Sequence, residues 1–316
     1  MIDLSVVIVT WNTRDCTLSC LSDLVSALAI VERRRNWTSE VMVVDNASTD
    51  GTSSEVRRLF PDVSLRVNSE NLGFARGVNG GLKAISGRYV LLLNSDAFIG
   101  AATIEVCLDA LESNSRAGIA GPRLLHGNGK PQRSVHTFPD LWSELVPPFV
   151  RGRVPRVQDQ SSVSVEAVRG AVLFARMEMI KEIGLLSEDY FFFLEETDWC
   201  WRAQKSHWEV LFVSDAWAIH LMGESSKRRN ALRTRIEFQR SLDLFLRKHR
   251  GPKVAQIVLF LRIMRGLVSG LIELPLAIFR PRVRDRLGQR LGLLRWQMGG
   301  RSSSEGLEGW KGRLSD

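Results

Sequence analysis

The sequence lacks the patterns that identify several common protein classes. Its 316 residues include only four cysteines, with no CxxC pair, so neither a disulfide scaffold nor a zinc finger is expected. A reduced, cytoplasmic protein fits this cysteine content. The N-terminal residues have neither the basic start nor the small-residue cleavage site of a signal peptide. Neither GxxxxGK[ST] nor a helix-opening GxGxxG follows a candidate strand, which excludes P-loop and dinucleotide-binding enzymes.

Charge is distributed unevenly along the chain. The first 226 residues carry 22 basic and 28 acidic side chains, whereas residues 227–316 carry 21 basic and 7 acidic ones. The overall charge of +8 therefore describes neither part. A basic segment favours phosphate-bearing partners, either nucleic acid or an anionic membrane, and the alternative is a solvated basic helical face.

Buried apolar runs alternate with helical patterns in the first part of the chain. This alternation predicts βαβ units and an α/β fold with a mostly parallel central sheet. The strand candidates are Leu4–Thr10, Glu40–Asp45, Ser64–Asn68, Arg88–Asn94, Ala171–Ala175 and Val210–Val213. The helix candidates among them are residues 15–31, 52–60 and 72–86.

Three of these strands end in polar residues, at 10–12, 45–48 and 94–96. Ligands in parallel sheets bind beyond the carboxyl ends of the strands. The pattern therefore predicts a binding site there, although ordinary turn chemistry also places Asn, Asp and Ser after strands.

The composition changes twice further along the chain. Residues 139–165 are rich in Pro and Ser and predict a long surface loop. From about residue 230 the pattern is helical. We therefore expect a catalytic or binding domain over residues 1–229 and a helical, basic segment over residues 230–316.

Several polar residues are candidates for chemistry. Glu195, Glu196 and Asp198 follow an aromatic run, and their crowding favours a raised carboxyl pKa and a general base. The alternative is a helix N-terminus in which Asp198 pairs with Arg202. Asp96 follows a strand and suits a divalent cation. His220, taken alone, is more often structural.

Seven ordered motifs together are similar to the inverting glycosyltransferases of family 2, most closely to the rhamnosyltransferase-like branch. The resemblance spans residues 3–226, and its motifs are residues 5–12, VVDNASTDGT (43–52), NLGFARGVN (71–79), LLLNSDA (91–97), RGAVLFAR (169–176), LEETDWCWR (194–202) and HLMGESS (220–226). It implies the GT-A fold, a nucleotide-sugar donor and Mg²⁺ or Mn²⁺ as cofactor.

The resemblance also implies roles for individual residues. Nucleotide-sugar binding is implied for Thr10, Asn12, Asp45, Arg76, Asn94, Ser95, Gly170 and Ala171. Asp96 and His220 are implied to hold the metal, and Asn94 stands where the family's DXD motif would have an acid. The family base matches Glu196, although its longer arm leaves the choice between Glu196 and Glu195 open.

The function implied is transfer of a sugar, best matched to L-rhamnose from dTDP-rhamnose, onto a hydroxyl of a glycan acceptor. A lipid-linked acceptor in cell-surface polysaccharide synthesis is the corresponding expectation. The alternatives are a sugar-nucleotide-binding protein without activity and a nucleic-acid-binding module that uses the basic segment. The second is disfavoured because that segment has few aromatic residues for stacking on single strands.

Residues 254–279 are the most apolar part of the chain, but Arg262, Arg265 and Glu273 lie within them and Pro275 is expected to break the run. This pattern favours an amphipathic hairpin at an anionic membrane surface over a membrane span. The protein would then be peripheral on the inner face of the plasma membrane. An ordinary helical subdomain or an interface of a homo-oligomer is the alternative.

Overall fold

The structure is a computed structural model that describes residues 2–145, 162–221 and 231–308. These residues group into two compact units. Unit 1 contains residues 2–138, 162–189 and 195–221, and unit 2 contains residues 139–145, 190–194 and 231–308. The domain boundary expected at residues 229 and 230 lies outside the described residues.

The described residues contain eleven strands in chain order. These are β1 (Leu4–Thr10), β2 (Ser39–Asp45), β3 (Ser64–Val67), β4 (Tyr89–Asn94), β5 (Ala97–Phe98), β6 (Ala117–Leu125), β7 (Val135–His136), β8 (Ser162–Ser164), β9 (Ala167–Val168), β10 (Val172–Arg176) and β11 (Glu209–His220). The helices of unit 1 are α1 (Arg14–Arg35), α2 (Thr52–Leu59), α3 (Phe74–Leu82), α4 (Ala101–Ser113), α6 (Met177–Ile183) and α7 (Glu195–Lys205), and α5 (Leu141–Leu145) belongs to unit 2.

Nine of these strands form one sheet with the order β3-β2-β1-β4-β10-β6-β11-β5, and β8 pairs with β11. The pairings of β1 with β2 and β4, of β2 with β3, and of β6 with β11 are parallel. Strand β10 is antiparallel to both of its neighbours. The predicted α/β fold with a mostly parallel central sheet is therefore confirmed.

Alternate residues of β1 are covered by different helices. Val6 and Ile8 belong to the apolar core that also contains residues of α1 and α4. On the other face α3 lies very close, because a Cβ at Gly81 would stand 2.5 Å from Val7 Cγ1. Since both faces are covered, the run is apolar without alternation, as the sequence indicated.

The predicted strands agree with the structure to within about two residues, except that β11 extends well beyond residues 210–213 to His220. Strand β6, which lies between β10 and β11 in the sheet, was not predicted. Its segment contains Gly and Pro, residues that are depleted in strands. Of the loop predicted over residues 139–165, residues 146–161 lie outside the described part of the chain, and α5 and β8 occupy its two ends.

The helices of unit 2 after α5 are α8 (Ala231–Arg250), α9 (Pro252–Phe279) and α10 (Pro281–Met298), followed by a 3₁₀ turn at Ser303–Glu305. The expectation that Pro275 breaks the apolar run is wrong, because α9 continues through it to Phe279. A proline removes one backbone hydrogen bond, but a helix can continue past it with a kink. No helix in the described ranges is long and apolar enough to cross a membrane.

Candidate active site

The polar ends of β1, β2 and β4 lie side by side. Thr10 is the register partner of Asp45, and Val9 is the partner of Asn94. Parallel strands present their carboxyl ends at one edge of a sheet, so the chain segments that follow them meet there. The structure thus brings together the three segments in which the sequence predicted a site.

Hydroxyl groups connect the end of β1 to the start of α1 and to the segment after β4. Thr10 Oγ1 lies 2.7 Å from Thr17 Oγ1, and both side chains are buried. Thr13 Oγ1 lies 3.0 Å from the hydroxyl of Ser95. Because Thr13 is also bonded to Thr10 and Thr17, Ser95 and Thr10 belong to one network of hydrogen-bonded hydroxyl groups.

The loops after β1 and β2 are tied to each other through Asn12. Its backbone N–H donates to Ser48 Oγ at 2.8 Å, and its side-chain oxygen accepts from the Thr49 N–H at 2.7 Å. The backbone of Asn12 itself has a φ of 51°, which lies in the left-handed region of backbone conformation. These contacts fix the position of the segment predicted to bind the nucleotide.

Asp45 is fully buried, and its carboxylate orders its own loop. One oxygen accepts a hydrogen bond from the Ser48 N–H at 3.0 Å, and the other accepts from the Ser53 hydroxyl. The predicted role of Asp45 in the nucleotide pocket stays a prediction, and these contacts favour an indirect role through loop shape.

Arg76, which is also predicted to bind the nucleotide sugar, projects from α3 and is about half exposed. Its Nε lies 3.7 Å from Glu188 Oε2, with 54% of the arginine side chain accessible. Such an exposed pair contributes little to stability, so the guanidinium can exchange partners at small cost.

Asp96 and His220, the two predicted metal ligands, are neighbours. Strand β11 pairs with β5 so that His220 stands opposite Ala97, the residue after Asp96. Both side chains are largely buried, and His220 Nε2 lies 3.3 Å from Asp96 Oδ1. Within the described ranges there is no group of three or more His, Cys, Asp or Glu residues that could hold a metal ion.

A glutamine that sequence reasoning missed orients His220. Gln132 Nε2 donates to the backbone carbonyl of His220 at 2.5 Å, and Gln132 Oε1 lies 3.1 Å from His220 Nδ1. A carbonyl oxygen can only accept, so the Gln132 atom that contacts it must be the amide nitrogen. The other amide atom, Gln132 Oε1, is an acceptor, and His220 Nδ1 must therefore donate to it. Nε2 then carries the lone pair in neutral His220 and faces the Asp96 carboxylate.

This donor set fits a divalent cation. Two acceptor atoms, from an imidazole and a carboxylate, converge on one point, and a buried amide fixes the imidazole. The side-chain oxygen of Asn94 is also buried and has no hydrogen-bond partner among the described residues. Mg²⁺ and Mn²⁺ sites on nucleotides typically use few protein ligands and complete the shell with phosphate oxygens and water.

Gly170 and Ala171 link this region to the acidic cluster. The Asn94 N–H donates to the Ala171 carbonyl at 2.9 Å. A Cβ at Gly170 would lie 3.2 Å from Glu196 Cβ, so the absence of a side chain lets the glutamate approach. Gly170 and Ala171, two small residues predicted to bind the nucleotide sugar, therefore lie between the end of β4 and Glu196.

The environment of Glu196 suits a general base. It stands in the first turn of α7, and burial raises the pKa of its carboxyl above the ordinary value. The positive charge of Arg169 and the backbone N–H groups of Gly170 and Thr197 act in the opposite direction. A carboxyl with a raised pKa holds a proton more strongly, which favours proton abstraction near neutral pH.

The other two acids of the cluster differ from Glu196. Glu195 is 5% exposed. Asp198 is fully buried and accepts from Arg202 Nε at 2.8 Å, which confirms the predicted i, i+4 pair. Arg202 also donates to the carbonyls of Ile183 and Leu185, so this pair holds α7 to the preceding segment.

Comparisons of the sequence with known proteins identify its relatives. The family model of glycosyl transferase family 2 matches residues 5–169. The chain is 28% identical over 210 residues to an N-acetylglucosaminyl-diphospho-decaprenol L-rhamnosyltransferase of Mycobacterium tuberculosis, covering 60% of this chain and 68% of that protein. It is 26% identical over 226 residues to a low-salt glycan biosynthesis hexosyltransferase of Haloferax volcanii, covering 69% and 67% of the two chains.

Solved structures are similar in fold. The mannosyltransferase PcManGT from Pyrobaculum calidifontis, in complex with GDP-Man and Mn²⁺, has a TM-score of 0.56 at 16% identity, with 94% of this chain and 88% of that chain covered. S. aureus TarS 1-349 in complex with UDP-GlcNAc has a TM-score of 0.52 at 18% identity, with 78% and 67% covered. The chain belongs to glycosyl transferase family 2, and it is a glycosyltransferase with the GT-A fold and with the rhamnosyltransferase-like motifs that its sequence predicted.

Proposed function

We propose that this enzyme transfers L-rhamnose from dTDP-rhamnose to a hydroxyl group of a lipid-linked glycan, with inversion at the anomeric carbon. The observation that carries the proposal is the joint placement of Glu196, Gly170 and the Asp96–His220 pair at one edge of the sheet. The mycobacterial relative supports the sugar and the lipid carrier, because its name states both.

The donor is proposed to bind where the strand-end loops meet. Thr10, Asn12 and Ser95 shape the floor of this region, and Arg76 supplies a mobile positive charge for the nucleotide. Asp96 and His220 would hold Mg²⁺ or Mn²⁺. The bound cation would stabilise negative charge on the departing diphosphate.

Glu196 is proposed to remove the proton from the acceptor hydroxyl. The oxygen then forms its bond to the anomeric carbon while the bond from that carbon to the diphosphate breaks. The electron pair leaves with the nucleoside diphosphate, and the proton stays on the Glu196 carboxyl. One displacement inverts the configuration, so no covalent enzyme intermediate is needed.

A panel of nucleotide sugars tests the donor. The full chain is incubated with each donor and Mg²⁺ or Mn²⁺, and release of nucleoside diphosphate is measured with and without a prenyl-diphosphate-linked N-acetylglucosamine. We expect dTDP-rhamnose to give the fastest acceptor-dependent release, with an inverted product linkage by NMR. Faster turnover of a UDP- or GDP-sugar would contradict the proposed donor.

We also propose that unit 2 binds the surface of an anionic membrane, which would make the enzyme peripheral on the inner face of the plasma membrane. Helices α9 and α10 pair through Arg290, whose Nε and Nη2 lie 2.9 and 3.0 Å from the Glu273 carboxylate. Large apolar side chains of α9 are 57–82% exposed, namely Phe260, Leu271, Ile272, Leu274, Ile278 and Phe279. Arginines follow them in α10, where they suit anionic headgroups.

Co-sedimentation with liposomes tests this surface. We expect binding to vesicles with 30% phosphatidylglycerol, little binding to pure phosphatidylcholine, and a clear loss in the double variant Ile278→Ser with Phe279→Ser. Leu59→Ser, an exposed leucine of α2, is the matched control. Equal binding by the double variant, or a dimeric mass that this variant abolishes, would contradict the membrane proposal.

A further inference from the structure

We propose that Phe193 and Leu194 are positioning residues, whose left-handed backbone sets the direction of the first turn of α7 and thereby places the Glu196 carboxyl group. This inference rests on the proposed function, in which Glu196 is the base, and adds to it the part of the chain that orients the base. Sequence patterns predicted no role for the aromatic run that contains Phe193.

The backbone angles of these two residues are unusual for their side chains. Phe193 has a φ of 74°, and Leu194 has a φ of 66°. In this region Cβ comes too close to the following carbonyl oxygen, so bulky residues rarely adopt it. Among the described residues, seven other than glycine have a positive φ, and these two are the only adjacent pair. Such strain persists only where the surrounding structure enforces it, and it clusters at functional sites.

Packing within unit 2 holds both residues in this conformation. The Phe193 ring packs edge-on against two other rings, with centroid distances of 4.5 Å to Phe192 and 5.8 Å to Phe238. Ser241 Oγ donates to the Phe192 carbonyl at 2.8 Å. Leu194 packs against the small apolar core formed by Leu242, Leu246, Ala255 and Val258. These contacts offset the cost of the two unfavourable backbone angles.

Leu194 also stands at the position where a helix usually has its N-cap. It directly precedes α7, and a leucine side chain has no oxygen that could accept from the N–H groups of the first turn. The Glu196 carboxylate interacts with these groups instead, namely with its own N–H and that of Thr197, and also with the N–H of Gly170. The direction of the first turn therefore decides which donors the carboxylate meets.

These donors determine how readily Glu196 ionises. Burial raises the pKa of its carboxyl, whereas its own N–H, the charge of Arg169 and the N–H groups of Thr197 and Gly170 lower it. The titratable group one turn along α7 is the Cys200 thiol, whose pKa burial raises to about 12, so it stays uncharged near neutral pH. A change in the direction of the first turn would remove N–H contacts and raise the pKa of Glu196 further.

Ala and Gly at position 194 separate the backbone conformation from side-chain packing. Both substitutions remove the Leu194 side chain, but only Gly adopts a positive φ without steric cost. Ala favours the right-handed helix, so in Leu194→Ala this residue should join α7 and turn Glu196 away. We expect kcat to fall by up to about 100-fold in Leu194→Ala, the effect of misplacing a catalytic group by about 1 Å. Leu194→Gly should recover most of this loss, and the donor KM should stay unchanged in both variants.

His207 supplies a matched control at the other end of α7. It has a φ of 65° in the turn after the helix, where left-handed residues are common. At both positions the Gly variant should resist urea better than the Ala variant, but neither His207 variant should change kcat or its pH dependence. At an ordinary position Gly is more harmful than Ala. A loss of kcat in Leu194→Gly that equals or exceeds the loss in Leu194→Ala would therefore overturn the proposal.

The pKa of Glu196 gives a readout that does not depend on turnover. NMR titration of the enzyme with ¹³C-labelled glutamate carboxyls measures it, and Glu196→Gln assigns the signal. We expect a higher pKa in Leu194→Ala and a return towards the unmodified value in Leu194→Gly. This result would support the positioning role even if Glu196 is not the base, an error that full turnover in Glu196→Gln would reveal. An unchanged pKa in Leu194→Ala would overturn the positioning role alone.

Discussion

The two units of the chain place polar and apolar side chains in opposite ways. Unit 1 buries polar groups such as Asp45, Thr17 and Asp198 and gives them hydrogen-bond partners. Unit 2 leaves large apolar residues such as Ile278 and Phe279 exposed. Buried polar groups are costly unless paired, and exposed apolar patches usually mark contact surfaces. The first arrangement shapes the region in which the active site is proposed, and the second leaves an apolar surface that suits the proposed membrane contact.

The largest expected effect on unit 1 comes from Glu196→Gln. Removal of a general base should lower turnover by about 10²- to 10⁴-fold, while donor binding is retained. Glu195→Gln is the matched control in the adjacent position. Steady-state kinetics and calorimetric donor affinity check both variants, and a larger loss of turnover in Glu195→Gln would move the base to that residue.

The pH dependence of the same residue gives a second check. The base acts in its deprotonated form, so kcat should rise with pH through the pKa of Glu196. Burial raises that pKa, so the limb should lie above the ordinary value of 4.5. Because Arg169 lowers the pKa, Arg169→Gln should move the limb to higher pH. A limb that moves to lower pH in the kcat profile of Arg169→Gln would contradict this prediction.

A smaller effect is expected from Gln132→Met, which removes the amide that orients His220. Loss of such an outer partner typically weakens metal binding about 10- to 100-fold. Titration of Mn²⁺ by electron paramagnetic resonance, with nucleoside diphosphate present, measures the affinity without turnover. Gln204→Met is a control, because its amide bonds the carbonyls of Val165 and Glu166, away from His220. Unchanged Mn²⁺ affinity in Gln132→Met would show that Gln132 is only structural.

Packing in unit 1 is tested by two adjacent glycines of α3. Gly81→Ala forces a methyl group against Val7 and should cost about 1–3 kcal/mol in the free energy of unfolding. Gly80→Ala meets only the end of the Arg66 side chain, at 3.6 Å, and should stabilise the helix by about 0.5–1 kcal/mol. Urea unfolding of both variants measures the difference, and equal stabilities would contradict the close approach of α3 to β1.

The smallest expected effect belongs to the exposed face of unit 2. Leu271→Ala should change the free energy of unfolding by less than about 0.5 kcal/mol, because the side chain is 70% exposed. Leu246→Ala, in the small core of unit 2, should cost about 2–5 kcal/mol. Similar losses in urea unfolding of the two variants would mean that Leu271 is covered in solution.

Local patterns predicted much of unit 1, and long-range pairing accounts for what they missed. The run Leu4–Thr10 has the same bounds in the sequence prediction and in the structure, since continuous β-branched residues typify a covered strand. The contact between Gln132 and His220 joins residues 88 positions apart and has no local signal. The inward direction of the Asp45 carboxylate likewise depends on Ser48 and Ser53, whose positions are set by the loop fold.

The place of β10 has a consequence for the order in which the protein is made. Strand β10 lies between β4 and β6, although β6 precedes it in the chain. A nascent chain that ends before residue 170 therefore lacks the centre of its sheet and also lacks Glu196. Non-local pairings of this kind form slowly. The ribosome-bound enzyme should thus be unable to consume its donor until the whole of unit 1 has emerged, so catalytic competence and completion of the sheet coincide in synthesis.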